Sequence, residues 1–262
     1  MLQRVLTSIL VFSLCTQVHA MGDLFGSVSP LIDQTISRHA ESCECVVALG
    51  DAGLKQAIAM DSRKPIFAAY ITAATYNTII TSHIDRPVTA LFAEPNPRLQ
   101  LALAEVLLGN NQTVTFFSDR STYLQQVPGQ RLVKTRKDTL LENISRLDQY
   151  RAVIAVPDSS IWNKESFRVV VRALYRQNKV LIGFSRSLVD AGALASFYYE
   201  DESYQQEFIA ILSTFNKTGK LPATAYPEKY QVAINHQIAK SLNIQIPDNQ
   251  TILDAIEKVA SK

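Results

Sequence analysis

Six short apolar runs recur along this chain, and stretches with helical spacing separate them. The runs are Cys45–Leu49, Pro65–Tyr70, Val88–Phe92, Gln112–Phe117, Ala152–Val156 and Val180–Phe184, each five or six residues long and rich in Val and Ile. A strand that is apolar throughout, rather than at alternate positions, needs cover on both faces. Parallel sheets flanked by helices provide that cover, so the alternation predicts an α/β fold. Between the runs, Pro97 opens a helix whose Leu99, Leu103, Val106 and Leu107 share one face, and Gly109-Asn110 stops it. Ser159 or Ser160 is expected to cap the next helix, where Trp162, Phe167, Val170, Val171 and Leu174 recur at helical spacing. Tyr204–Phe215, Asn235–Leu242 and Thr251–Val259 read as later helices, with Gly219 and Pro222 ending the first of them.

The N-terminus reads as an export signal. Arg4 is followed by apolar residues from Val5 to Leu14, and Val18-His19-Ala20 places small residues where a signal peptidase reads them. Residues 1–20 are therefore expected to be a signal peptide and Met21 the start of a soluble, periplasmic chain. The apolar run is too short for a permanent span. Leu14 before Cys15 is not the small residue a lipid-anchor signal needs. A formal charge of +2 is near neutral and argues against nucleic acid as a partner. The run from Lys134 to Lys137 reads as a solvated face.

Cys43 and Cys45 stand in the pattern H-x3-C-x-C with His39. Export permits a disulfide, although alternate residues of a strand share a face without their sulfurs meeting well. A soft metal would need a fourth ligand, which the sequence does not offer. Packed or free thiols are the third reading. No metal and no cofactor is expected.

Enzymatic chemistry finds little support. Gly183-Phe184-Ser185-Arg186-Ser187 follows a strand as a nucleophile elbow does, but its last position is Ser rather than Gly. The later histidine that would serve as base, His236, falls on a C-terminal helix. G-x-G-x-x-G, the phosphate-loop motif and H-E-x-x-H are all missing.

What the chain does offer is polar residues just beyond its strands. Gly50-Asp51, Thr72, Glu94, Ser118-Asp119, Asp158-Ser159 and Ser185 each follow an apolar run. A parallel sheet gathers such positions along one edge, where ligands bind and helix N-termini favour anionic groups. Taken singly, Asp51, Asp158 and Ser159 serve equally well as helix caps, Ser185 as a cap or turn residue, and Tyr198 and Tyr199 as ordinary interface aromatics.

At GFSRSLVDAGALASFYY the chain resembles the ABC-transporter substrate-binding proteins of the tryptophan/tyrosine-binding type. The likeness continues through Gly219-Lys-Leu-Pro222, Ala233-Ile-Asn235 and Leu242-Asn-Ile-Gln-Ile-Pro247. Upstream it includes VVALGD, PVTALFAEPNPRLQLALAEVLL and AVIAVPDSS, so that it covers about Cys45 to Val259. The resemblance implies the two-lobed type I periplasmic-binding-protein fold, with a small solute held between lobes that close by hinge bending. By the same likeness, 21–95 and 200–262 make the N-terminal lobe and 96–199 the C-terminal lobe. Asp158 matches the family's acid and would meet a ligand ammonium. Gly50, Asp51 and Thr72 would line the opposite wall, with Ser118, Ser185 and Tyr198 as further contacts.

Three departures shape the expectation. Few residues precede Cys45, and Ser29–His39 reads as a single helix, so the first lobe is expected to be reduced. An exposed edge or apolar face there would invite a homodimer or a protein partner. Asp51 replaces a small residue and would repel a carboxylate. Glu200-Asp201 stands only near the family's acid-aromatic pair. The leading expectation is a solute-binding protein serving an ABC permease or a sensor. The alternative is a periplasmic interaction or sensor module that keeps the fold and binds a protein.

Overall fold

The computed structural model describes residues 24–81, 86–110, 112–118 and 131–260; the expected signal segment and Asp119 lie outside them. The first half runs β1 (Leu24–Phe25), α1 (Pro30–Ala40), β2 (Val46–Leu49), α2 (Gly50–Ala59), β3 (Ile66–Ile71), α3 (Ala73–Ile80) and β4 (Val88–Phe92). Its four strands form one parallel sheet in the order β1-β2-β3-β4. Burial shows why these strands are apolar throughout. Val47 and Leu49 point into one core with Phe67 and Ala69, while Val46 and Ala48 point into another with Ile66 and Ala68. Period-two alternation thus serves two cores rather than a core and a wet face.

The second half contains α4 (Pro97–Leu108), β5 (Thr113–Phe117), β6 (Leu132–Lys134), α5 (Leu140–Ser145), β7 (Ala152–Ile154), α6 (Lys164–Tyr175), β8 (Val180–Gly183), α7 (Arg186–Asp190) and β9 (Ala195–Tyr198). After α8 (Asp201–Thr218) come β10 (Gln231–Ile234), α9 (His236–Ser241) and α10 (Asn249–Ala260). The second sheet has six strands in the order β10-β9-β8-β7-β5-β6, with β10 antiparallel to β9 and the rest parallel. Phe167, Val170 and Leu174 of α6 cover one face; Leu99 and Leu103 of α4, Ala239 of α9 and Ile252 and Ile256 of α10 cover the other.

Local chemistry sets the helix ends. Ser29 caps α1, Asn96 caps α4 ahead of Pro97, and Gly219 ends α8 in the left-handed region at φ 65°. The cap of α6 is Asn163, whose side chain accepts from the backbone of Glu165 and Ser166 while Ser166 answers in a capping box. The expected cap at Ser159 or Ser160 is therefore corrected, and Trp162 stands before the helix rather than in it. The backbone first turns at Asp158, whose carbonyl accepts from Trp162 N at 2.8 Å.

Three other expectations change. Cys43 and Cys45 form a disulfide. Both precede β2, in the bend after α1, so strand geometry does not hold their sulfurs apart. The chain ahead of Cys45 holds a two-residue strand as well as a helix, because Gly26 and Gly53 let the backbones touch: a Cβ on Gly53 would come within 2.4 Å of Phe25 O. Residues 200–262 divide between the halves. Tyr204, Phe208 and Leu212 of α8 pack on the first sheet, whereas β10, α9 and α10 complete the second. Val232 and Ile234 on β10 pack against that second core, which the family likeness alone did not convey.

Candidate functional site

The chain passes between the halves three times, after β4, after β9 and after α8. These crossings run side by side. The Tyr199 hydroxyl donates to Ala93 O, Ala225 N donates to Ala90 O at 2.9 Å, and Phe92 N donates to Ala225 O at 2.9 Å. That last pairing also covers the free edge of β4.

Glu94 lies in the first crossing and is 1 % exposed. Its Oε1 accepts from Ala73 N, at the start of α3, at 2.6 Å, while Oε2 is buried without a hydrogen bond. Burial pushes the carboxyl up to about 8, against the partial relief of the Ala73 N–H. Aromatic rings surround the crossings. Tyr204 lies 5.0 Å from Tyr199 in a stack and 4.6 Å from Tyr70. Tyr226 packs 5.0 Å from Phe92. Burial raises the hydroxyls of Tyr199, Tyr204 and Tyr226 above the usual range, and the nearby Glu94 carboxylate adds to it.

Each strand-end residue can now be placed. Gly50 begins α2 at φ 70°, and a Cβ there would meet nothing nearer than Tyr70 O at 4.0 Å. Asp51 is exposed in the first turn of α2 and does not cap it. Thr72 caps α3, accepting from Thr75 N at 3.2 Å and donating to Thr75 Oγ1 at 2.9 Å. Thr72 and Glu94 thus meet at one helix start.

In the second half, Ser118 donates from both its N and its Oγ to Asp158 Oδ2, which ties the end of β5 to the loop after β7. Asp158 Oδ1 accepts from Ser160 N at 3.0 Å. Ser159 is exposed beside them. Ser185 precedes α7 without capping it; its Oγ meets Ser187 Oγ at 2.9 Å rather than a base. Tyr198 ends β9 and accepts from Arg186 Nη1 at 3.2 Å, with that guanidinium 5.7 Å from its ring centroid.

Several residues of this region gave no signal in sequence. Tyr70 adopts φ 54° where the β3–β4 register slips, and its N donates to Tyr204 Oη at 2.8 Å instead of to the ladder. Gln100 is buried, and its Nε2 donates to Ala155 O and Gly183 O, both at 2.8 Å, bracing the ends of β7 and β8. Arg186 follows a strand end, where the sequence shows only an imperfect elbow. The basic run from Lys134 onward begins with an edge strand, not only a solvated face, and Thr135 within it is buried. Among the described residues no cluster of His, Cys, Asp and Glu could hold a metal, and no helix is long and apolar enough to cross a membrane.

No family model and no curated protein matches the chain. Solved structures do. A ligand-free, open substrate-binding protein with adhesive properties from Clostridium difficile aligns with a TM-score of 0.60 at 14% identity, over 85% of this chain and 81% of that one. A conserved domain protein from Vibrio cholerae aligns at 0.55 and 16% identity, over 86% and 81%. An ABC domain from Streptococcus pneumonia, in complex with L-Trp, aligns at 0.54 and 18% identity, over 84% of each chain. The chain has the two-lobed α/β fold of the type I periplasmic binding proteins.

Proposed function

We propose that this chain is an exported solute-binding protein that holds a small, amino-acid-like ligand between its lobes and presents it to an ABC permease or a membrane sensor. One observation carries the reading. Both sheets place polar groups at the carboxyl ends of their strands, and the three crossings that join them lie side by side as a hinge. Asp158 already holds Ser118 and Ser160, but a carboxylate has about four acceptor sites, so it can still take an ammonium. Exposed Arg186, beside Tyr198, suits a carboxylate. Thr72 and Gly50 form the wall opposite.

The solute reading is favoured over the protein-binding alternative by the first lobe's surface. Among the described residues, Val28 and Leu31 are its exposed large apolar side chains, too little for a docking patch. One edge is the two-residue β1, too short to pair well, and Ala225 covers the other at β4. An enzyme is disfavoured because Ser185 meets another serine and no general base.

Native mass spectrometry on protein purified gently from the periplasm tests this. The expected result is a bound small molecule released on denaturation, with Asp158→Asn retaining much less of it. An apo mass that stays unshifted against amino acids overturns the reading, and full retention by Asp158→Asn removes that residue from the site.

A further inference from the structure

The second lobe contains a cavity of ≈ 300 Å³ between the N-terminal half of α6 and α7. Trp162, Phe167, Leu188 and Ala191 supply apolar wall, and Lys164 and Arg168 stand at its margin. Lys164 and Arg168 are four residues apart on α6, so they project from one side of the helix. Both are exposed, and neither is paired with an acid among the described residues. The neighbouring Glu165 pairs with Lys137 instead. No acidic residue lines the cavity.

Trp162 adds a second observation. It is 7 % exposed, and its Nε1–H is buried without an acceptor. Such a buried donor gains from any oxygen that reaches it. The asparagine cap leaves the ring itself untied, so packing alone holds it, and a small turn of the indole would offer the N–H to an entering oxygen. The volume lies at the small end of ligand pockets, enough for one or two rings.

We infer that this cavity is a second small-molecule site, its lining sharing no residue with the proposed cleft contacts, and that it takes a monocarboxylic acid with an aromatic or branched apolar tail. The tail lies against Trp162, Phe167 and Leu188, and the carboxylate meets Lys164 and Arg168. The inference is independent of what the cleft binds.

Trp162 is the one tryptophan in the chain, so its emission reports binding in its surroundings, and the cavity variants separate this site from the Asp158 cleft. Phenylacetate should change that emission saturably. Phenylacetamide, which has the same ring but no charge, should bind about tenfold more weakly, a difference of ~1.4 kcal/mol. A Lys164→Gln, Arg168→Gln double variant should lose a similar factor for phenylacetate; both side chains are exposed, so the variant will fold. Ala191→Phe, which fills the cavity, should abolish the saturable change. No saturable change up to roughly 10 mM phenylacetate, where binding would be weaker than about 3 kcal/mol, overturns the inference. So does an affinity that the amide or the double variant retains in full.

Discussion

The two lobes use the same strand-end logic and spend it differently. In the second lobe the polar groups at the strand ends bond to one another, as Ser118 does with Asp158 and Arg186 with Tyr198. In the first lobe the equivalent groups bond to backbone N–H groups instead. Glu94 is buried with one oxygen unpartnered, Thr72 is used as a helix cap, and Tyr70 is held in a left-handed conformation by Tyr204. The difference follows from where the chain crosses. All three crossings gather beside the end of β4, and aromatic rings pack that corner of the first sheet. The second sheet's strand-end groups hold one another instead. Backbone strain of the Tyr70 kind persists only where surroundings over-determine it, and here they do so at the place the lobes join.

The comparison breaks most readily at Tyr204. Its hydroxyl donates to Leu91 O at 2.6 Å and accepts from Tyr70 N, and its ring is fully buried between Tyr70 and Tyr199. Tyr204→Ala should destabilise the protein by about 3–5 kcal/mol in denaturant unfolding, through the cavity it leaves. Tyr204→Phe, which keeps the ring but orphans Tyr70 N, should cost only about 1–3 kcal/mol. Equal losses would mean that ring packing adds nothing where the lobes join.

A smaller effect that sharpens the contrast comes from Glu94. Its folded-state value of about 8 lies above that of the unfolded carboxyl, so the folded state binds the extra proton between those values. This contribution is complete at pH 4, declines as pH rises, and is gone once pH passes the folded value. Glu94→Gln, which imitates the protonated group, should flatten that decline and be roughly 3–5 kcal/mol more stable than the parent at pH 9. Denaturant midpoints at pH 5, 7 and 9 check it. Parallel profiles for parent and variant would show that Glu94 is solvated and ionised.

Much of this frame was legible in the sequence because it rests on local rules. Val46–Leu49 or Val180–Gly183 can be read as doubly buried strands from composition alone, and Pro97 with Gly109 brackets α4 in the chain itself. The strand-end residues were found the same way. What escaped depends on partners far along the chain. Nothing in Ala-Ala-Tyr-Ile announces that Tyr70 will turn left-handed, because the cause, Tyr204, is 134 residues away. Glu94 reads as an ordinary acid before a helix, and only the convergence of the crossings buries it. The Cys43–Cys45 bond was judged by strand geometry that those residues do not have. The placement of β10 was missed because a short strand such as Gln231–Ile234 takes its position from β9 rather than from its own pattern.

The most direct test of a solute held between hinged lobes is small-angle X-ray scattering with and without the solute that co-purifies with the protein. Closure about the Glu94 crossings predicts a smaller radius of gyration in the bound state, and a return to the larger value when the solute is removed. A saturated complex with the same radius as the empty protein would contradict the account.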